Sequence, residues 1–273
     1  MIRFDECLTL HLQLNAEGQW EVVYREPGER GPHKVCKSNM LIEAHYKLTF
    51  VELRVVLLGV AQLNPREPVP DGIEITAAEY AEAYDTPRND VYKAFDHAAK
   101  RLPDRTLKVF DKAGTGKRIS WLKPNTAAAE LYPKGSGAFN LCFSDEVKAY
   151  LAGLSRCFTV YELEKIAPLN SYYSMRLYEQ FCQWRSTGKL VVTLEDFRGR
   201  LGLEDKYSEF SDLKRRAIDA AVKELSEKSG LRISWEVKQR SNKVVGMVFN
   251  FKEKSLKGSK LVRFPSNPKQ AHD

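Results

Sequence analysis

Residues that hold metals or form disulfides are scarce in this chain of 273 residues. Its five cysteines include no CxxC pair, and its five histidines form no HxH, HExxH or HxE pattern. A zinc ribbon, a disulfide framework and a metal-dependent hydrolase therefore lack the ligand spacing that they need. We expect the cysteines to be buried or half-buried free thiols, and we expect neither a metal nor a cofactor.

The motifs of phosphate-binding and nicking enzymes are also missing. Residues 114–117 have the composition of a phosphate loop, but they lack the GxxxxGK[ST] spacing, and Arg118 stands where a magnesium-binding hydroxyl is required. We interpret this segment as a hairpin turn. The absence of HxH counts against a rolling-circle nickase, which needs a metal-binding histidine pair. The sequence therefore predicts a protein that is not an enzyme.

No apolar run approaches the roughly 20 residues that span a bilayer. The first six residues are acidic where a signal peptide is basic and then apolar. We therefore expect a cytoplasmic protein with no membrane partner. Hydrophobic residues make up 43% of the chain and charged residues 29%, which is enough apolar material for a core. The length favours about two domains.

The net charge of +7, with a pI of about 9.0, is distributed unevenly. Residues 1–33 carry −3, residues 34–150 carry +2 and residues 151–273 carry +8. Nine basic and four acidic residues lie between Leu213 and Lys243. A basic segment of this kind indicates nucleic acid as a partner.

Capping boxes begin two helices in the first half of the chain, at residues 49–52 and 76–79. A short strand at 73–75 precedes the second box, and a third helix begins at Pro87. Strands at 107–110 and 119–122 follow. On the first helix we expect burial of Leu53, Val56, Leu57, Val60 and Ala61. On the third helix the polar face comprises Arg88, Asn89, Lys93, Asp96, His97 and Lys100.

The second half repeats this order. A helix from about Ser171 to Arg185 is expected to bury Leu177, Phe181 and Trp184, and a strand at 190–192 leads to a helix opened by Thr193. Ser211 or Asp212 is expected to cap a long helix that reaches Lys228, with Gly230 as its stop. Two alternating strands then flank a polar turn at 238–243.

Helix, short strand, helix, helix and hairpin is the winged-helix order. We therefore predict an α+β chain of two tandem winged helices, at residues 34–152 and 153–257. Residues 1–33 are an N-terminal extension with the alternation of a β-hairpin, and the polar residues 258–273 are expected to be disordered.

A helix fits the major groove of DNA, and the third helix of a helix-turn-helix reads bases with its N-terminal residues. Arg215 and Arg216 occupy that place in the second unit, and Lys223 is placed for phosphate. The turn cations Lys238, Arg240 and Lys243 are placed for the DNA backbone or the minor groove. In the first unit, Asp96 interrupts the polar face, so the prediction of DNA contact is weaker there. The alternative is that either winged helix binds a protein.

Several stretches carry a resemblance to a known family. They are residues 35–44, residues 174–179, residues 183–184, the segment from Tyr207 through residues 212–216 to residues 222–225, and residues 248–251. In these stretches, the chain resembles the initiator replication proteins of iteron-containing bacterial plasmids (Rep_3 type).

The resemblance implies a protein that binds repeated origin sites (iterons) as a monomer, helps to open the duplex and recruits the host initiator and helicase. It also implies that dimers, formed through the first winged helix, repress the gene or pair origins. By the same resemblance, the second winged helix is expected to read the iteron through Lys214, Arg215 and Arg216, although Lys214 falls near the buried side of the helical wheel. Lys37, in the first matching stretch, is a further candidate DNA contact. The resemblance also implies that the first winged helix contacts the DNA backbone at the other end of the iteron, with Arg88, Asn89, Lys93 and His97 as candidates.

Two alternatives remain open. A transcriptional repressor without a replication role would use the same helices on an inverted repeat.

The second alternative concerns the N-terminal residues. Initiator replication proteins commonly start close to the Lys37 stretch, so the 36 preceding residues are either a hairpin of unknown purpose or the product of a start codon placed too early.

Overall fold

The computed structural model of the protein describes residues 10–14, 20–24, 33–111, 113–154 and 157–254. Cys7 and the predicted disordered tail at 258–273 lie outside these residues. Pro32–Lys254 forms one compact body, which includes both predicted winged helices, and the N-terminal extension belongs to a separate body.

The N-terminal extension contains a β-hairpin. Strands β1 (Leu10–Leu14) and β2 (Trp20–Tyr24) pair antiparallel, with Leu10 opposite Tyr24 and Leu14 opposite Trp20. The hairpin predicted from the alternating leucines is therefore confirmed, while its predicted turn at 15–18 lies outside the described residues.

The first winged helix contains the predicted order of elements. In chain order the elements are β3 (Lys34–Ser38), α1 (Asn39–Glu43), β4 (His45–Tyr46), α2 (Phe50–Ala61), β5 (Ile73–Thr76), α3 (Ala77–Tyr84), α4 (Arg88–Arg101), a 3₁₀ turn (Leu102–Asp104), β6 (Thr106–Phe110), β7 (Gly116–Ser120), α5 (Ala128–Leu131), β8 (Ala138–Leu141) and α6 (Asp145–Lys148). The pairing is less regular than the order implies, because β5 pairs with β8, and the hairpin β6–β7 pairs with β4.

Both capping boxes form. At the start of α2 the Glu52 amide donates to Thr49 Oγ1 (3.2 Å), and the Thr49 amide donates to Glu52 Oε2 (2.8 Å). Thr76 and Glu79 repeat this exchange at 3.2 and 2.9 Å at the start of α3. Pro87 is the N-cap of α4 and provides no side-chain cap bond.

Helix α2 lies at the centre of the first unit and is buried on almost every side. Leu53, Val56, Leu57 and Val60 are buried as predicted, whereas Ala61 is only half-buried. The charged group of Glu52 is also fully buried, and Arg105 bonds both of its carboxylate oxygens at 2.9 Å. This bidentate pair compensates the cost of burying the carboxylate.

The second winged helix follows the predicted order and has the regular sheet. Its elements are β9 (Phe158–Glu162), α7 (Leu163–Ile166), α8 (Tyr172–Gln183), β10 (Lys189–Thr193), α9 (Leu194–Arg200), α10 (Phe210–Leu213), a π-helical segment (Lys214–Asp219), α11 (Ala220–Lys228), β11 (Leu231–Arg240) and β12 (Lys243–Glu253). The strand order is β10–β12–β11. Phe249 anchors the core, with its ring 5.9 Å from the rings of both Phe197 and Trp235.

Three sequence expectations for the second unit were wrong in detail. Trp184 is 39% exposed, because α8 ends at Gln183 and Trp184 is its C-cap. The long helix begins at Phe210 with Glu209 as N-cap, so neither Ser211 nor Asp212 caps it. The predicted turn at 238–243 contracts to Ser241 and Asn242, whose φ angles of 49° and 62° allow the two-residue turn that joins β11 and β12.

The two winged helices meet through a pair of strands and a pair of helices. Strand β3, at the start of the predicted first unit, pairs along its whole length with β9 of the second, from Lys34 opposite Glu162 to Ser38 opposite Phe158. Helix α1 packs against α8. Residues 34–43 therefore lie against the second winged helix as well as the first.

Candidate nucleic-acid interface

The helix over residues 210–228, named here the second groove helix, exposes three consecutive cations. Lys214, Arg215 and Arg216 are all exposed, while Leu213 and Ala217 on either side of them are buried. A regular α-helix places Lys214 near the buried side. The wheel position predicted for Lys214 was wrong because Lys214–Asp219 is π-helical, and the wider turn leaves room for one more outward residue.

Each of these cations is held by an acid on the same helix. Asp212 Oδ1 accepts from Arg215 Nη2 (2.9 Å) and Arg216 Nε (3.3 Å). Hydrogen bonds from the two guanidinium groups lower the pKa of Asp212. Lys214 Nζ lies 2.5 Å from Asp219 Oδ2 and 5.4 Å from the centre of the Trp235 ring. Sequence reasoning missed these partners, although the spacing of Asp212 three and four residues before the arginines is the signal that reveals them.

Lys223 and the wing cations are exposed too. Lys223 lies two turns beyond Arg216. At the wing tip, Arg240 is the cross-strand partner of Lys243, and a register shift between Lys238 and Gln239 bends the strand next to them. The cations of the second groove helix and of the wing hairpin form the positive surface of the second unit.

The first unit offers a further candidate surface on α4, named here the first groove helix. Arg88, Asn89 and Lys93 are exposed, but Lys93 is paired with Asp90 at 2.9 Å. His97 is half-buried, and its Nε2 lies 3.3 Å from Arg101 Nη1.

Two more residues of α4 bear on this surface. Lys100 is paired with Asp96 at 2.7 Å, so a second acid on the helix holds a cation. Tyr92, which the sequence reasoning did not select, is 39% exposed on the same helix. An exposed aromatic one turn after the helix start adds apolar contact area to an otherwise polar surface.

Lys37 is not part of any such surface, and its selection as a DNA contact was wrong. Its side chain is fully buried, and its ammonium lies 2.6 Å from the equally buried carboxylate of Glu179. Its bond to Glu179 on α8 places this lysine in the interior where the two winged helices meet, next to the β3–β9 pairing. Lys37 is therefore a structural residue.

The described residues contain no cluster of three or more side chains suited to a metal. Four cysteines in this part of the chain are free thiols: Cys36 is buried, Cys142 and Cys182 are half-buried, and Cys157 is exposed. Burial raises the pKa of the Cys182 thiol to about 12, which disfavours the thiolate form that reacts as a nucleophile. No helix within the described residues is long and apolar enough to cross a bilayer.

Two winged helices in one chain, the second with a basic groove helix and wing, define a tandem winged-helix protein. The family model described as "Initiator Replication protein, WH1" matches residues 34–182, which run past the predicted boundary at residue 152 and include β9, α7 and most of α8, and "Initiator Rep protein, WH2" matches residues 193–251. The chain belongs to this initiator replication protein family.

Individual relatives agree with the family models. A replication initiation protein of Escherichia coli is 29% identical over 210 residues, which cover 73% of this chain and 64% of that protein, so the match spans less than two thirds of the relative. A second E. coli protein, described as an uncharacterized 27.6 kDa protein, is 26% identical over 218 residues, with 75% and 89% covered.

A solved structure confirms the tandem winged-helix fold. The crystal structure of the Pi initiator protein in complex with iteron DNA superimposes with a TM-score of 0.67 and 17% identity. It covers 82% of this chain and 99% of that one.

Proposed function

We propose that this protein is a plasmid replication initiator that binds iteron repeats in double-stranded DNA at an origin. Membership of the initiator family supports the role, and a structural neighbour was crystallised with iteron DNA. The observation that carries the proposal is the row of exposed cations Lys214, Arg215 and Arg216 on the second groove helix, next to the basic wing. The guanidinium group of an arginine on a helix in the major groove can donate two hydrogen bonds to one guanine.

The two winged helices have different proposed roles. The second, over about residues 153–257, is the main reader of the repeat, because its 20 basic and 14 acidic residues give it a charge of +6 and because it carries the exposed cation row. The first, over about residues 34–152, contacts the DNA backbone and mediates dimerisation. Two cations of its groove helix, Lys93 and Lys100, are lysines, which present point charges and not the planar fork of arginine, and this suits positioning on phosphates better than base readout.

The remaining functions of the protein follow from the same assignment. As a monomer it opens the origin and recruits the host initiator and helicase, and as a dimer it represses its own gene. It acts in the bacterial cytoplasm, without catalysis and without a cofactor. These functions require no site beyond the DNA surface and protein contacts.

A footprint of the purified protein on the DNA flanking its own gene tests the assignment. We expect protection of several direct repeats of about 20 bp by the monomer fraction, since each repeat spans about two helical turns and offers a groove to each unit. Protection of an inverted repeat alone would replace the proposal with a transcriptional repressor. A plasmid carrying the protected repeats should replicate only when the protein is supplied.

A further inference from the structure

Four side chains form a buried polar cluster where the two winged helices meet, named here the junction cluster. Both carboxylate oxygens of Glu179 are engaged: Oε1 lies 2.6 Å from Lys37 Nζ and from the Tyr161 hydroxyl, and Oε2 lies 2.5 Å from Arg176 Nη1. The two cations and the carboxylate have no exposed surface. Burial alone would raise the pKa of Glu179, but Lys37 and Arg176 lower it to about 2.

The guanidinium of Arg176 continues the cluster into both winged helices. Its Nη2 donates to the carbonyls of Ile42 (2.9 Å) and Ala44 (3.2 Å), at the end of α1, and to that of Arg200 (3.2 Å), at the end of α9. It also lies 4.0 Å from the centre of the Tyr46 ring, on β4. The last carbonyls of a helix carry its partial negative charge. One cation therefore ties together the ends of two helices from opposite halves of the chain.

Stability alone does not account for such a cluster. Two buried cations share a single carboxylate, and a buried ion pair is often less stabilising than well-packed apolar residues of the same volume. Bidentate and charge-assisted hydrogen bonds are directional, because they fix both the distance and the angle between the bonded groups, whereas apolar contacts are not directional. The cluster thus defines one relative placement of α1 and β4 on one side and α8 and α9 on the other.

These elements lead to the wing of the first unit and to the second groove helix. Strand β4 lies beside β6, the first strand of the wing of the first unit, and α9 precedes the second groove helix by a short loop. The described contacts contain a second tie at the same junction, between His45 Nε2 and Asp196 Oδ1 at 2.8 Å. Movement at the junction cluster would change the distance between the DNA surfaces of the two units.

We propose that Arg176 and Glu179 are positioning residues, which set the spacing in DNA at which the two winged helices bind one repeat together. The proposal rests on the proposed function, since it needs both units on one site. Each added base pair moves one half of the site by about 3.4 Å and turns it by about one tenth of a turn. If the junction is held in one geometry, the two winged helices cannot move apart to follow the displaced halves of the site.

Substitutions that keep the buried charge balanced test the proposal. Arg176→Met leaves the neutral pair Lys37–Glu179, and Lys37→Met leaves the neutral pair Arg176–Glu179. The control is Arg105→Met, which breaks the bidentate bond to buried Glu52 inside the first unit and leaves Arg101, whose Nε lies 3.7 Å from Glu52 Oε1, to balance that carboxylate. Thermal unfolding followed by circular dichroism checks that each variant is folded.

The probe is the repeat found by footprinting, compared with copies that carry one, two or five extra base pairs between the segments protected by the two units. For the wild type and Arg105→Met, one inserted base pair should weaken binding by about tenfold or more, as loss of one unit's contacts would. For Arg176→Met the native repeat should bind about tenfold more weakly, and the insertion should cost less than about threefold. Lys37→Met removes a single tie and should give an intermediate insertion penalty.

An insertion penalty in folded Arg176→Met equal to that of the wild type would overturn the positioning role. If Arg176→Met does not fold, the insertion penalty of Lys37→Met decides, and a value equal to that of the wild type again overturns it. Failure of the wild type to bind any repeat would instead refute the proposed function, so the two failures are distinguishable.

Discussion

Arg215 and Arg216 share the carboxylate of Asp212 in the free protein, and the proposed contact with DNA has to replace these bonds. The arginines are 71% and 58% exposed, and Asp212 is 43% exposed. Ion pairs in such an environment contribute between about 0 and 1 kcal/mol. Contact with a guanine or a phosphate can therefore replace the bond to Asp212 at small cost.

Removing either arginine should reduce sequence discrimination more than general affinity. Arg215→Ala and Arg216→Ala are each expected to cost about 1–3 kcal/mol on the repeat and less on random DNA, because a bidentate contact with guanine is lost. Fluorescence anisotropy on both DNAs measures the difference. Arg66→Ala, an exposed arginine in the loop after α2, is the control and should change neither affinity. Equal losses on the two DNAs would mean that these arginines contact phosphate only.

Asp212→Asn should have the opposite effect on random DNA. The substitution removes a negative charge next to two phosphate-seeking cations, so non-specific affinity should rise by about three- to fivefold. On the repeat, the gain is offset because Asp212 no longer orients the guanidinium groups, and the ratio of specific to non-specific affinity falls. Asp71→Asn removes a carboxylate that is likewise bonded to two cations, Lys123 and Lys148, and is the control. An unchanged ratio in Asp212→Asn would contradict the orienting role.

At the scale of elements, a glycine in α9 allows a close approach between the two winged helices. A Cβ added at Gly199 would overlap the ring of His45, and that ring is held by Asp196 at 2.8 Å and by the edge of Phe110 at 4.6 Å between centroids. The ring therefore has little freedom to move aside. Helix α9 can lie against β4 only because residue 199 has no side chain.

Gly199→Ala should consequently lower the free energy of unfolding by about 1–3 kcal/mol through overpacking, even though alanine is the better helix former. His45→Ala removes the obstructing ring, so the double variant should be more stable than Gly199→Ala alone. Urea denaturation of the wild type, the two single variants and the double variant gives the coupling energy. Strictly additive effects would show that the ring and residue 199 do not meet.

Elements of secondary structure that are determined by residues close together in the chain were predictable from the sequence. The capping boxes at Thr49 and Thr76, the hairpin strands β1 and β2 and the helix stop at Gly230 each depend on a few neighbouring residues. The order of elements then identified the winged helices. Exposure of the cation row was predicted for Arg215 and Arg216 by a regular helical wheel.

Features that depend on distant partners were not predictable in this way. Lys37 lies between Cys36 and Ser38 in a short strand, and only its contact with Glu179, 142 residues away, makes its burial tolerable. The pairing of β3 with β9 and of β5 with β8 likewise joins segments far apart in the chain. The π-helical segment has no local signature, so the exposure of Lys214 required the structure.

For the whole molecule, the distribution of charge predicts how binding responds to salt. The segment from 151 to the end carries +8, while the first 33 residues carry −3. Each phosphate neutralised by a cation releases counterions, so the logarithm of the binding constant falls with the logarithm of salt concentration, with a slope of about −0.9 per phosphate contact. The slope thus counts the cations that touch DNA, whatever the net charge of the chain.

A triple variant of the wing separates contact from net charge. Lys238→Ala/Arg240→Ala/Lys243→Ala should make the slope shallower by about 2–3, since three exposed cations at the wing tip would no longer meet phosphates. The control, Arg66→Ala/Lys134→Ala/Lys165→Ala, removes the same charge from exposed positions outside the proposed surface and should leave the slope within about 0.5 of the wild-type value. Anisotropy titrations on the repeat between about 50 and 200 mM salt measure both slopes. If the two triple variants lowered the slope equally, the wing would contribute only through long-range charge, and its assignment to the DNA surface would be wrong.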